Sequence, residues 1–439
     1  MTLHAPDPQY GDRQAWYLVF ALTLCNILSQ VDRFAMTLLV TPMQRDLGLN
    51  DTQTGLIGGL VTGLFYALAG LPLARLADQY NRKLLILFAL VGWSLMTMAS
   101  GLAIGFWTLC IARLLLAVGD AALGPSANSM IGNVFRPDKL SAPLSVYASA
   151  GSLGNAAAAV LVAAFLFVAP FVAPPLTFGG VPMAPWRVVM IGLGLVGAVP
   201  MIILLFVREP VRPHHEGDRP DFRAFVAYLK SHRLAYLPCY LGYASFVLPF
   251  VAMAFWAPTA FERVHGLSTP ITGAWMGAGY LVAGAPGTIF GGWLSGWLER
   301  RGHADGKLLV LLIATLASVP AVVASQLAGD PKVAMGFLWV AMACAAMALG
   351  PATAAIQVLA PDQFRAQAAV VLYLLIFIVA FMGIPITGFL TDAVFGDPKR
   401  IGHALIALAL VFGTMAAGLV WRYRGHYVLA AKTRLAETT

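Results

Sequence analysis

Four charged residues fall within stretches of sequence that are otherwise apolar: Asp32 and Arg33 in Val-Asp-Arg, and Arg113 and Asp120 in Ala-Arg-Leu-Leu-Leu-Ala-Val-Gly-Asp-Ala. Ionised groups are costly in hydrocarbon; where they occur they face a cavity or one another and mark function. Arg113 and Asp120 are two helical turns apart, so they share one face of a helix, with Asp120 about 10 Å further along the axis. Asp32 and Arg113 lie at similar distances from the outer ends of their apolar runs, which places them at similar depth. The result is a ladder of alternating charge. An arginine in such a ladder can hold an anionic headgroup while a neighbouring aspartate takes up or releases a proton. Burial favours the protonated carboxyl and a nearby arginine the ionised one, so drawing the arginine towards a substrate anion links the two events. On this reading Asp32 and Asp120 couple protons, and Arg33 and Arg113 bind substrate. The competing reading is a closed set of ion pairs, Asp32 with Arg113 and Asp120 with Arg33 or Arg113, that only holds helices together.

The elements that would position these groups are membrane helices. The chain is 59% hydrophobic and 11% charged, with mean hydropathy +0.78, whereas a soluble chain carries about 25% charged residues. Apolar runs long enough to span a bilayer as helices recur near 16–41, 52–74, 84–104, 105–134, 142–169 and 188–207, and near 236–261, 271–298, 308–327, 333–357, 368–391 and 402–421. Of the 28 lysines and arginines, twenty fall on one set of alternate connecting segments and six on the other. The positive-inside rule then predicts a multi-pass protein of the plasma (bacterial inner) membrane with both termini cytoplasmic. The formal charge of +8 is spread over short loops and forms no continuous face for nucleic acid. Met1 to Ala15 lacks the pattern of a cleaved signal peptide. Cys25, Cys110, Cys239 and Cys344 sit in separate apolar runs with no metal-ligand spacing, and are expected to fill the core. No metal or cofactor is expected apart from the proton as coupling ion.

The two halves repeat. Gly55, Ala74, Arg82 and Lys83 correspond to Gly273, Gly292, Arg300 and Arg301 at a constant offset, and Ala122 to Ala127 is echoed by Ala348 to Thr353. Two six-helix units that start on the same side form a parallel repeat, a class of fold that places its substrate site at the repeat interface near mid-bilayer. The expected organisation is an all-α membrane protein of twelve transmembrane helices: an N-terminal bundle over 1–207, a linker over 208–235 and a C-terminal bundle with a tail over 236–439. Within the linker, Phe222, Phe225, Val226 and Leu229 recur at helical spacing with Arg223 and Lys230 off that stripe, which predicts a short helix lying on the membrane surface.

Polar side chains are unevenly divided. The first half carries Asn26, Ser29, Gln30, Asn128, Tyr147 and Asn155, the second Tyr243, Trp256, Tyr280, Gln357 and Tyr373. With Asn26, Asn128 and Tyr147 on one wall and Trp256, Tyr280 and Tyr373 on the other, the substrate-binding surface suits an amphiphile with a charged head and an apolar body. The segment Ala74 to Lys83, Ala-Arg-Leu-Ala-Asp-Gln-Tyr-Asn-Arg-Lys, resembles the major facilitator signature of the loop after the second helix. Asp78, Arg82 and Lys83 match it, while Ala74, Gln79 and Asn81 depart from it. The resemblance implies gating roles for Asp78, Arg82 and Lys83. In the second copy Gly296 replaces the aspartate.

Within that superfamily the Asp32-Arg33 pair, the Asn-Arg-Lys loop and the Arg113 to Ala121 segment resemble the Spinster-like branch, mainly over residues 26 to 155. The resemblance implies coupling and substrate roles for Asp32, Arg33, Arg113 and Asp120, with lysolipid or sphingoid-phosphate-like amphiphiles among the substrates. Asp120 stands where that family usually has Glu. Small organic anions or sugars are the alternative cargo. An enzyme is not expected: as an intramembrane aspartyl protease the chain lacks Tyr before Asp32 and Gly-x-Gly before Asp120, and the nearby arginines would oppose the sharing of a proton between aspartates. No filter motif of a channel is present. The expected partners are the bilayer and a small-molecule or lipid substrate, with the chain acting as a monomer.

Overall fold

The computed structural model describes residues 10–135, 139–172, 177–178, 181–211 and 222–438. Eleven helices among them are long and apolar enough to cross a bilayer. In the first half these are Asp12–Leu38, Asp51–Gly70, Arg82–Gly101, Phe106–Val134, Ala142–Val172 and Pro185–Leu205. In the second half they are Arg233–His265, Gly306–Leu327, Pro331–Leu359, Gln367–Phe395 and Pro398–Arg434. The stretch expected near 271–298 is also helical, as Thr269–Gly279, a π turn over Tyr280–Gly284 and Ala285–Arg300. Its many glycines make it less apolar than its neighbours. Numbered in chain order with this one as the eighth, the helices are consistent with the twelve spans expected. Two two-residue strands, Thr177–Phe178 and Val181–Pro182, pair antiparallel before the sixth span.

The fourth span shows how sequence sets orientation. Ile104, Trp107, Ile111 and Leu115 are exposed, while Leu109, Ala112, Arg113, Leu116, Ala117 and Asp120 are buried. These exposed side chains are apolar, and the buried ones include both charges. That is inverted relative to a soluble protein, and it is what a helix does when lipid covers the outer stripe and protein satisfies the inner one. Phe88, Phe167, Phe206 and Ile289, each about three-quarters exposed, extend the apolar exterior well beyond what water tolerates.

Between helices in lipid, close backbone approach replaces the hydrophobic effect, and small residues make it possible. In the eighth span a Cβ at Gly287 would lie 2.5 Å from the Ala343 carbonyl oxygen, and one at Gly291 would overlap that of Met347. These glycines let the eighth and tenth spans touch. In the first half a Cβ at Gly101 would lie 2.9 Å from the Arg187 carbonyl oxygen and one at Gly194 2.7 Å from that of Ser94, so these glycines let the third and sixth spans meet.

The chain forms two compact units, Met1–Glu216 with Ser268–Gly277, and Gly217–Leu267 with Ala278–Thr439. The first unit is built on Leu18, Leu22, Ile86, Leu90, Trp93, Leu116 and Met130, the second on Tyr236, Tyr240, Leu308, Leu311, Ile356 and Leu372. Ser268–Gly277 departs from the boundary expected at 236: glycines 273 and 277 bring it against Leu38, Ala156 and Ala159. Cys25, Cys239 and Cys344 are buried, Cys110 is partly exposed, and all four are free thiols.

The linker helix forms as Phe222–Ser231, and Phe225, Val226 and Leu229 of its apolar stripe turn to protein. Phe225 is fully buried against Phe364, with ring centroids 5.7 Å apart, and Val226 and Leu229 pack on the second unit's core. Tyr228 Oη donates to the Leu359 carbonyl oxygen at 2.8 Å. The expectation of a surface-lying helix is corrected: the stripe found apolar protein, which also satisfies the tyrosine hydroxyl.

Gly291 and Gly292 make a test of the packing argument, because a Cβ at Gly292 would meet nothing within 4 Å. Gly291→Ala is expected to destabilise the protein by about 1–3 kcal/mol through overpacking, and Gly292→Ala to leave thermal unfolding in detergent unchanged.

Candidate functional site

The charge ladder is real, and it divides into two pairs in the first unit. Asp32, in the first span, is buried. Its Oδ2 accepts from Arg113 Nη1 at 3.1 Å and its Oδ1 from Thr97 Oγ1 at 2.8 Å. Arg113 Nη2 contacts Met190 Sδ at 3.1 Å, and Arg113 Nε has no hydrogen-bond partner. First, third, fourth and sixth spans thus meet at one buried pair.

The second pair is Arg33 with Asp120. Arg33 Nη2 lies 2.9 Å from Asp120 Oδ2, and it also donates to Ser29 Oγ at 2.8 Å. Ser29 Oγ in turn donates to Asp120 Oδ1 at 2.6 Å. The guanidinium is 5.5 Å from the centre of the Tyr66 ring, within range of a cation–π contact. Exposure separates the pairs. The side chains of Arg113 and Asp32 are 3% and 4% accessible, and Asp120 is 6%, but Arg33 is 28%. Arg33 is the ladder member that water or a ligand can reach.

Asn26 sits close by, its Nδ2 donating to the Tyr147 carbonyl oxygen at 3.3 Å, and Tyr147 is buried. Asn128 is exposed on the fourth span. In the second unit Tyr373 is half exposed and Tyr280 opens the π turn of the eighth span. Trp256 does not behave as a wall residue: it is fully buried, and its indole N–H donates to the Ile384 carbonyl oxygen at 3.0 Å. A side chain without accessible surface packs the core.

The side chain of Asp78 lies outside the described residues. Arg82 is buried, with Nε 2.8 Å from Glu209 Oε1, Nη1 2.9 Å from Ser129 Oγ and Nη2 2.7 Å from the Pro210 carbonyl oxygen. The backbone N–H groups of Arg82 and Lys83 both donate to the Glu209 carboxylate, and Lys83 Nζ reaches the Leu205 carbonyl oxygen at 2.7 Å. A carboxylate on the unsatisfied amides of a helix N-terminus is favourable for both hydrogen bonding and dipole. Arg82 and Lys83 therefore brace the third span to the end of the sixth. The first unit has a matching clamp at its other end: Asp46 Oδ2 accepts from Trp186 Nε1 and Arg187 Nε, both at 2.8 Å, and Arg187 Nη1 donates to the carbonyl oxygens of Gly101 and Ala103.

Sequence reading missed Thr97, Tyr66, Met190 and Glu209. Glu209 alone left a signal, as a carboxylate in an otherwise basic stretch directly after an apolar run.

Removing one partner of the sealed pair should expose its cost. Arg113→Met leaves Asp32 buried without a counter-charge and is expected to destabilise by about 3–5 kcal/mol. Adding Asp32→Asn to Arg113→Met should recover most of that loss, read as melting temperature in detergent; two independent, additive losses would show that the groups do not act as a pair.

A family model described as the Major Facilitator Superfamily matches residues 22–384. An MFS-type efflux pump of Mycolicibacterium smegmatis is 27% identical over 97% of each chain. Human protein spinster homolog 1 is 27% identical over 56% of this chain, which spans 46% of that protein. The crystal structure of a bacterial homolog to the human lysosomal transporter Spinster, inward-facing and unoccupied, superposes with a TM-score of 0.79 at 24% identity, covering 97% of this chain and 99% of that one. That likeness shows the fold. With a family match that runs across both halves, the chain is a multi-pass membrane transporter that belongs to the Major Facilitator Superfamily and resembles its Spinster-like branch.

Proposed function

We propose that the chain is a proton-coupled secondary transporter that moves an amphiphile with an anionic headgroup by alternating access, with Arg33 receiving the headgroup and Asp120 the proton. The observation that carries this reading is the contrast in exposure between the two ion pairs: Arg33 is accessible while held to Asp120, and the Asp32–Arg113 pair is sealed. An incoming anion competes with Asp120 for the Arg33 guanidinium. As Arg33 turns to the anion, Asp120 loses its counter-charge in a poorly solvated place and takes up a proton, with Ser29 at 2.6 Å to hold the carboxyl in position. Release of the anion reverses the exchange. Asp32 and Arg113 act on this cycle by fixing the first span against the fourth, so that Arg33 and Asp120 stay in register. Asn26, Asn128 and Tyr147 contribute polar surface to the same unit, and Tyr280 and Tyr373 contribute aromatic surface for an apolar body.

Support for a lysolipid-like cargo comes from the resemblance to the Spinster-like branch. The lysine and arginine asymmetry supports a plasma or bacterial inner membrane location with both termini cytoplasmic.

Proteoliposomes with an imposed pH gradient test the coupling. Asp120→Asn is expected to abolish proton-driven transport of a lysophospholipid while leaving substrate exchange at equal pH intact. An unchanged dependence on the gradient would overturn the role of Asp120. Arg33→Gln should weaken binding of the anionic amphiphile by about tenfold or more, the worth of a charge-assisted hydrogen bond. Transport of a small uronate or sugar in place of the lysolipid would move the cargo to the organic-anion class.

A further inference from the structure

A second basic site lies in the second unit. A cavity of about 530 Å³ opens where the linker helix and the start of the seventh span meet the end of the twelfth. Its polar lining is Arg233, Arg434, His232, His426, Ser231 and Thr433. The charged side chains of this lining are cationic, and the hydroxyls add hydrogen-bonding groups. Such a set is suited to a phosphate.

Two further observations favour a phosphate carried by a lipid. Leu234 and Leu429, which also line the cavity, are 40% and 69% exposed, and so offer apolar surface beside the basic groups. Trp421, on the same helix as His426, is 62% exposed with Arg424 stacked over its ring at 4.0 Å. Exposed tryptophan and arginine mark headgroup depth, and His426 lies only about 7–8 Å further along the helix. The wall is firm: the Tyr228 ring stacks at 4.3 Å on His232, whose Nδ1 lies 2.9 Å from Ser231 Oγ, and the Tyr228 hydroxyl is anchored to Leu359.

We infer that this cavity binds an anionic phospholipid, its phosphate between Arg233 and Arg434 and its acyl chains along Leu234 and Leu429. The bound lipid ties the linker helix to the last membrane helix.

Native mass spectrometry of the full chain, released from micelles with equal amounts of phosphatidylglycerol and phosphatidylcholine, reads the site directly. The wild type should retain phosphatidylglycerol preferentially. Arg233→Gln with Arg434→Gln should weaken its retention by about tenfold, whereas Lys432→Gln, the loss of one positive charge at an exposed position outside the lining, should not. Leu429→Glu alters only an exposed side chain, and should also expel the lipid if the double variant fails to fold. Equal retention by the wild type and these variants overturns the site. Complete displacement of the lipid by millimolar inorganic phosphate assigns the cavity to free phosphate and overturns the lipid.

Discussion

A bilayer offers an ionised side chain no water, so every charge placed in it must be answered by protein, and the first unit is arranged around that requirement. Asp32 cannot be buried alone. It is answered by Arg113 and Thr97, which in turn require that the first, third and fourth spans keep one spacing and one rotation. The apolar faces then follow, since a helix that turns its charged stripe inward turns Ile111 and Leu115 outward. Breaking such a pair costs more than forming it contributes, so the sealed pair fixes the first span against the fourth.

The two clamps at the ends of the first unit work by a related rule. At one end a carboxylate, Glu209, collects two backbone amides and a guanidinium. At the other Asp46 collects an indole and a guanidinium. Both sit where connecting chain meets water and where helix ends leave groups unsatisfied. They tie the sixth span to the third at both of its ends, and the glycines between let those helices approach closely.

Much of this was legible in the sequence, because membrane insertion writes itself in long apolar runs and in the sorting of lysine and arginine. The repeat was legible from paired glycines and basic clusters at a constant offset. The ladder was legible because four charges stood out from a background that had none. Single hydroxyls and aromatics were not, since Thr97 and Tyr66 look like any other polar residue in a membrane helix until the neighbouring helix is in place. Trp256 misled for the same reason: nothing local distinguishes an aromatic ring that lines a cavity from one that fills the core. The linker stripe was read correctly as a helix and assigned to the wrong apolar neighbour, because periodicity reports that a face will be covered and not by what.

The ladder contains two arginines and two aspartates, and its formal charges cancel. If a monoanion displaces Asp120 from Arg33 and one proton neutralises the released carboxylate, the loaded unit is again neutral overall. The loaded and empty proteins then differ by no net charge when they change the side to which they open. On the proposed exchange, the voltage across the membrane would do no work on the step that carries cargo; the pH gradient and the cargo's own gradient would set its direction. A dianionic headgroup would break that balance, so the valence of the cargo, more than its size, would decide whether transport is electrically silent.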